Sequence, residues 1–141
     1  MKSFTVIINS SDKIDGTNID GNYFFDWGLL DDRPYNMYFE CNTEPMVGSS
    51  TDLAIVFTSN LLNCELFSNV PNFDKSNYIG MMTEFYTSGV IMENALPYRN
   101  APIYLNTRPT INNFFIKLYD FDGNVYNRDF VFTATLRFET I

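Results

Sequence analysis

Histidine is missing altogether from this chain of 141 residues. Its absence excludes nucleophilic systems of the Ser-His-Asp or Cys-His type, and it excludes metal sites that depend on an imidazole ligand. The sequence also has no Gly-rich phosphate loop, no Walker lysine and no dinucleotide-binding fingerprint. We therefore predict no catalytic residues, no cofactor and no metal ligands, and we expect that the protein is not an enzyme.

Long apolar runs and an excess of positive charge are missing too. No run approaches the roughly 20 residues that a transmembrane helix requires, and the apolar stretch at residues 4–8 is too short for a signal peptide. The formal net charge of −8 means that the surface repels phosphate backbones and anionic lipids. We predict a protein made in the cytoplasm, with no membrane span and no affinity for nucleic acid.

Cysteine is scarce, because Cys41 and Cys64 are its only copies. Cys41 has the same phase as Tyr35, Met37 and Phe39 in an alternating segment, which predicts a buried free thiol. A disulfide between the two cysteines is the alternative, although a single pair does not amount to a disulfide framework.

Aromatic residues, by contrast, make up 17% of the chain. Apolar and polar residues alternate with period two in many segments, which predicts half-buried strands, and no stretch of ten residues keeps a helical period. Gly, Pro, Asn and Asp separate about eight short strands, a spacing typical of a sandwich or barrel. The length fits a single domain over residues 1–141 with one core.

The alternation also assigns side chains to faces. It places Tyr23, Phe25 and Trp27 on one face of a second strand. In a later strand, it places Phe57 on the inner face and Val56 on the outer face. We expect ten side chains above all to be buried: Phe25, Trp27, Phe39, Ile55, Phe57, Ile116, Leu118, Phe132, Leu136 and Phe138.

An Asp-Gly pair at residues 122–123 lies between two apolar runs and suggests a hairpin. A two-residue hairpin, however, would set Ile116 opposite Asp129 and Lys117 opposite Arg128. A corner after the pair avoids both conflicts, because the last two strands then lie in facing sheets and the final strand returns beside the first. A longer, bulged hairpin within one sheet is the alternative.

Acidic turns raise the question of calcium. An EF-hand loop needs acidic or amide ligands at its first, third and fifth positions, followed by glycine. Alignment on Gly16, Gly21 or Gly123 puts Ser11, Gly16 or Leu118 at the first position, so each alignment fails. We interpret these segments as turns and not as metal sites.

Paired carboxylates could also serve a glycosidase, which needs no histidine. The candidates are Asp31-Asp32, Asp20 and Asp26. They lie in segments rich in turn residues, so we favour solvated loops over a catalytic pair.

The C-terminal third carries a family resemblance. It reads FFIKLYDFDGNVYNRDFVFTATLRFE, with an aliphatic strand, a D-x-D-G-N turn and an F-x-F-x-x-x-L-x-F strand, and the loop PIYLNTRP precedes it at residues 102–109. These segments resemble the last strands of single jelly-roll capsid proteins. Such proteins are minor capsid or penton (vertex) proteins of large double-stranded DNA viruses and their virophage relatives.

The resemblance implies an all-β fold, a single jelly-roll β-sandwich of about eight antiparallel strands in two sheets. It also implies a structural subunit of an icosahedral capsid, located in the virion. The expected partners are other capsid proteins, namely the major capsid protein and minor components, and the expected state is a homo- or hetero-oligomer.

Two other functions fit the same fold class. Aromatic residues outside the inward phase (Phe24, Tyr38, Tyr119 and Phe121) could form an oligomer interface or the sugar-stacking platform of a carbohydrate-binding module. A small trimeric ligand of the jelly-roll type is the third hypothesis, and it requires a secretion or membrane-anchor segment.

Overall fold

A computed structural model describes residues 2–43, 46–47, 54–62, 77–83, 91–92, 100–120, 123–126 and 131–141. Strands dominate these ranges, and two short 3-10 turns, Ser10–Asp12 and Trp27–Leu29, are the helical elements within them. No helix among the described residues has the length and apolar character that crossing a membrane demands.

The strands are numbered in chain order. They are β1 (Ser3–Asn9), β2 (Asp15–Gly16), β3 (Asp20–Phe24), β4 (Tyr35–Thr43), β5 (Met46–Val47), β6 (Ala54–Thr58), β7 (Tyr78–Thr83), β8 (Ile91–Met92), β9 (Ile103–Leu105), β10 (Asn113–Asp120) and β11 (Phe132–Thr140).

The strands form two antiparallel sheets. One sheet has four strands in the order β1-β11-β4-β9, and the other has five in the order β2-β3-β10-β6-β7. Among the described residues, the short strands β5 and β8 pair with each other in a separate two-stranded ribbon. The last strand lies beside the first, and successive strands cross repeatedly between the two layers, which is the jelly-roll arrangement. The predicted all-β jelly-roll sandwich is therefore confirmed.

The Asp-Gly segment turns a corner, as the charge pattern predicted. β10 belongs to the five-stranded sheet, and β11 belongs to the four-stranded sheet. The chain first begins a hairpin: Gly123 has a φ of 85°, Tyr119 bridges Val125, and the Tyr126 amide donates to the Leu118 carbonyl at 2.9 Å. The next strand, β11, lies in the facing sheet and does not continue this pairing. The structure therefore contains both the turn that the Asp-Gly pair predicted and the inward phase predicted for each strand.

Aromatic rings fill the space between the sheets. Phe57 of the five-stranded sheet contacts Phe39 and Phe132 of the four-stranded sheet, with ring centroids 5.1 and 5.4 Å apart. Trp27 lies between Phe114 of one sheet and Phe138 of the other, at 5.9 and 5.6 Å. Of the ten residues expected in the core, all are buried except Phe25, which is half-buried and packs against the core.

Two face assignments need correction. β3 ends at Phe24, and the buried Trp27 belongs to the 3-10 turn that follows, because the Asp26 carboxylate accepts from the Gly28 amide and starts the turn. Val56, which we expected on the outer face, is buried to the same degree as its neighbours. Its strand β6 is internal, so large side chains on both flanking strands surround it.

The two sheets come into close contact where Gly80 of β7 faces Phe39 of β4. A Cβ atom built on Gly80 would overlap the Phe39 ring. Beside this contact, the Asn100 side-chain amide donates to the carbonyls of Phe39 and Met81 at 3.1 and 3.0 Å, and its oxygen accepts from the Met81 amide at 2.9 Å. One asparagine thus binds the backbones of both sheets along this side of the sandwich.

The close approach predicts a large effect of a single methyl group. Gly80→Ala should lower the free energy of unfolding by about 1–3 kcal/mol, because the methyl group overpacks against the Phe39 ring. The measurement is urea denaturation. Phe39→Leu removes the obstructing ring, so Gly80→Ala should cost less in that background. Strict additivity of the two substitutions would contradict the proposed contact.

Candidate interaction surfaces

The carboxylates considered for a glycosidase make separate local contacts. Asp26 accepts from the Gly28 amide at 3.0 Å, and Asp32 accepts from the Thr107 hydroxyl. Asp20 lies on another part of the surface, on the exposed face of β3. Within the described ranges, no group of three or more acidic or cysteine side chains is arranged to hold a metal ion. What the surface offers instead is a set of distinct faces.

One end of the sandwich carries exposed apolar side chains. The segments before β4 and before β10 meet there, because the Trp27 indole nitrogen donates to the Ile111 carbonyl at 3.0 Å. Leu29 is 72% exposed, Phe24 is 59% exposed and Ile111 is 40% exposed. We call Phe24, Leu29 and Ile111 the apolar end patch. Apolar side chains held in place on a rigid frame suit a contact with another protein.

An open cavity of about 370 Å³ lies at the same end. Leu61, Leu62 and residues 104–110 line it. The Arg108 guanidinium donates to the Leu30 carbonyl, which holds the loop after β9 against the loop before β4. The cavity therefore extends the end surface with both apolar and polar groups.

A second cleft, of about 360 Å³, lies on the outer face of the five-stranded sheet. Phe115, Lys117 and Tyr119 alternate outward along β10, and Asp20 and Asn22 of β3 lie opposite the first two of them. Thr58 of β6 completes the lining. The Lys117 ammonium lies 5.6 Å from the centroid of the Tyr119 ring. Aromatic faces flanked by hydrogen-bonding groups can bind a polar ring-shaped ligand.

The outer face of the four-stranded sheet is covered differently. The Arg137 guanidinium lies 4.2 Å from the centroid of the Tyr38 ring. Arg137 also forms an ion pair with Glu139. Tyr38, which the sequence suggested as a free aromatic, is thus half-buried beneath a cation, while Phe24 is exposed as expected. Phe121 lies outside the described residues.

Sequence reasoning missed several surface residues. Phe115 follows another phenylalanine, and the structure of β10 buries Phe114 and leaves Phe115 on the outer face. In the sequence, Phe115 shares its position in the alternation with Lys117, and this shared position predicts an outward side chain. Leu29 and Ile111 lie in non-periodic segments, so alternation could not assign them to a surface.

The interior holds two titratable groups near each other. Tyr23 and Cys41 are both buried, and Cys41 is a free thiol, as predicted. Burial raises the pKa of Tyr23 to about 12, with a further contribution from Cys41, and burial raises the pKa of the Cys41 thiol. The Tyr23 hydroxyl has no hydrogen-bond partner within the described part of the chain. Tyr35 differs, because its hydroxyl donates to the Asp31 carbonyl at 2.7 Å.

Two tyrosine substitutions should therefore have opposite effects. Tyr23→Phe removes an unsatisfied buried hydroxyl and should raise the free energy of unfolding by about 1 kcal/mol, whereas Tyr35→Phe removes a hydrogen bond and should lower it by about 1 kcal/mol. Chemical denaturation at pH 7 measures both. A loss of stability in Tyr23→Phe would mean that its hydroxyl has a partner.

The buried Tyr23 side chain also makes the free energy of unfolding depend on pH, with a known sign. The raised pKa of Tyr23 favours the neutral phenol in the folded state. The stability that this preference contributes is complete below pH 10 and is lost as the pH rises towards 12. Denaturation repeated across this range should show a smaller alkaline loss of stability in Tyr23→Phe than in the wild type.

Comparisons with known proteins do not assign this chain to a family. No protein-family model matches the sequence. A search of curated proteins likewise gives no match. The fold and the surfaces described above are therefore the basis for a functional proposal.

Proposed function

We propose that this chain is a structural subunit of an icosahedral virus capsid, a minor capsid protein or a penton protein at the vertex. The observation that carries the proposal is the strand order, β1-β11-β4-β9 packed on β2-β3-β10-β6-β7. Viral capsid subunits are a major class of proteins with this jelly-roll arrangement. The C-terminal sequence resemblance supports the same class independently of the strand order.

The surfaces suggest how such a subunit would act. A capsid subunit functions through protein contacts, and its interfaces combine apolar centres with polar rims. The apolar end patch provides the centre, and Arg108 with Asp32 provides charged groups on neighbouring loops. The proposed partners are the major capsid protein and other minor components, in a homo- or hetero-oligomer. The proposed location is the virion, after synthesis in the host cytoplasm.

The test is incorporation into particles. In virions purified from infected cells that express tagged variants, quantitative mass spectrometry should find the wild-type chain. Leu29→Lys should reduce its copy number by about tenfold, because a charge at the centre of an interface is costly. A particle reconstruction then distinguishes a five-fold vertex from a position beneath the shell.

Val125→Lys is the matched control. Val125 is also an exposed aliphatic residue, at 46%, but it bridges Tyr119 near the end of β10, whereas Phe24 of the apolar end patch lies opposite Asn113 at the start of that strand. This variant should be incorporated at the wild-type level. Absence of the wild-type chain from purified virions would refute the capsid proposal.

Carbohydrate binding is the second candidate, and the cleft on the five-stranded sheet favours it. Lectin domains also use the jelly-roll fold. In the cleft, Phe115 and Tyr119 offer ring faces for stacking, and Asp20, Asn22 and Lys117 offer hydrogen-bonding groups.

A glycan array tests this candidate. If the cleft binds sugar, the wild type should give hits that Tyr119→Ala loses. Tyr38→Ala should keep them, because Tyr38 is also a half-buried tyrosine but lies on the other sheet. An array without hits, or hits that both variants retain, would count against binding in this cleft.

A further inference from the structure

The two sheets have four edges, and three of them are short or occupied. β9 has three residues, and β2 has two, Asp15 and Gly16. β7 is longer, but the Asn100 side chain bonds to the backbone amide and carbonyl of Met81. Short strands, charges and covering groups are the devices by which proteins protect sheet edges from pairing with other chains.

Within the part of the chain that the structure describes, the fourth edge, β1, shows none of these devices. The strand has seven residues, SFTVIIN, with no charged residue, no proline and no glycine. Its pairing with β11 runs from Ser3 to Asn9 without a bulge. No other strand of the described ranges pairs with its free side. Ile7 is 63% exposed there.

The hydrogen-bond pattern shows which backbone groups point to the free side. The Thr140 amide donates to the Lys2 carbonyl at 2.9 Å, so Lys2 directs its carbonyl towards β11. Backbone direction alternates along an antiparallel strand. Phe4, Val6 and Ile8 therefore bond to β11, and the residues between them, with Ser3 and Asn9 at the ends, direct their amides and carbonyls outward.

We infer that β1 is a dimerisation edge, at which β1 of a second copy of this chain pairs antiparallel about a two-fold axis through Val6. Thr5 then pairs with Ile7 of the other copy, and Ser3 pairs with Asn9. Each of these residues directs its backbone groups to the free side, so both N–H and C=O groups find partners. The two four-stranded sheets become one continuous sheet of eight strands.

The side chains are complementary in this register. The antiparallel arrangement places Phe4 opposite Ile8 on the inner face and Thr5 opposite Ile7 on the outer face. No charged residue occurs in the paired segment, so it adds no direct like-charge contact although each copy carries a net charge of −8. A two-fold contact of this kind is closed, which gives a dimer and not a fibre.

This inference goes beyond the capsid proposal and does not depend on it. Sedimentation equilibrium of the full chain should give twice the chain mass at high concentration. Ile7→Lys should weaken dimerisation by about tenfold or more, because a charged side chain protects a sheet edge. Thr135→Lys is the matched control. It adds the same charge beside Ile7 on the same outer face, but on the internal strand β11, so it should leave the dimer intact.

Amide hydrogen exchange identifies the edge directly. In the wild-type dimer, the amides of Thr5, Val6, Ile7 and Ile8 should all be protected. In Ile7→Lys, only the amides of Val6 and Ile8 should remain protected, because they bond to β11 within one chain. A wild type that is monomeric at every concentration would overturn the inference. So would a dimer that Ile7→Lys leaves intact, or one in which the Thr5 amide exchanges freely.

Discussion

The contact between Phe39, Phe57 and Phe132 sets the distance at which the two sheets pack. Phe57 comes from one layer and the other two rings come from the opposite layer, so each ring is held by the sheet that it faces. Interiors of this kind are close-packed, and a change of one methyl group is felt. Gly80 belongs to this contact, because the Phe39 ring occupies the space that any larger residue would need.

The sheet edges on the two sides of the sandwich differ. On one side, Asn100 joins β4 to β7 through its amide group and completes backbone bonding where β9 has ended. On the other side, β1 presents a neutral strand with outward backbone groups. The outer faces differ as well: one carries an aromatic and polar cleft, and on the other Arg137 covers Tyr38. A single frame therefore offers several chemically distinct surfaces.

Much of the fold could be predicted because strand phase and charge agree. A tight hairpin would set Lys117 opposite Arg128 and Ile116 opposite Asp129. Because this pairing is unfavourable, the sequence predicts that β10 and β11 lie in different sheets. Alternation correctly predicted the burial of Trp27 but placed it in a strand, whereas it lies in a turn started by Asp26 and bonds to Ile111 far along the chain. The burial of Val56 depends on which strands flank β6, and the sequence pattern carries no sign of that order. The cleft could not be foreseen for the same reason, because it combines β3, β10 and β6.

The position of β11 has a consequence for how the chain folds. β1 and β4 pair with β11 and not with each other, and Ser3 lies opposite Glu139. Until residues 132–140 leave the ribosome, these two strands have no common neighbour, so the four-stranded sheet assembles only after β11 has been synthesised. Closing loops of this length gives a high contact order and slow folding. During that interval the nascent chain leaves the neutral strand β1 unpaired, and an unpaired apolar strand of this kind is prone to aggregation.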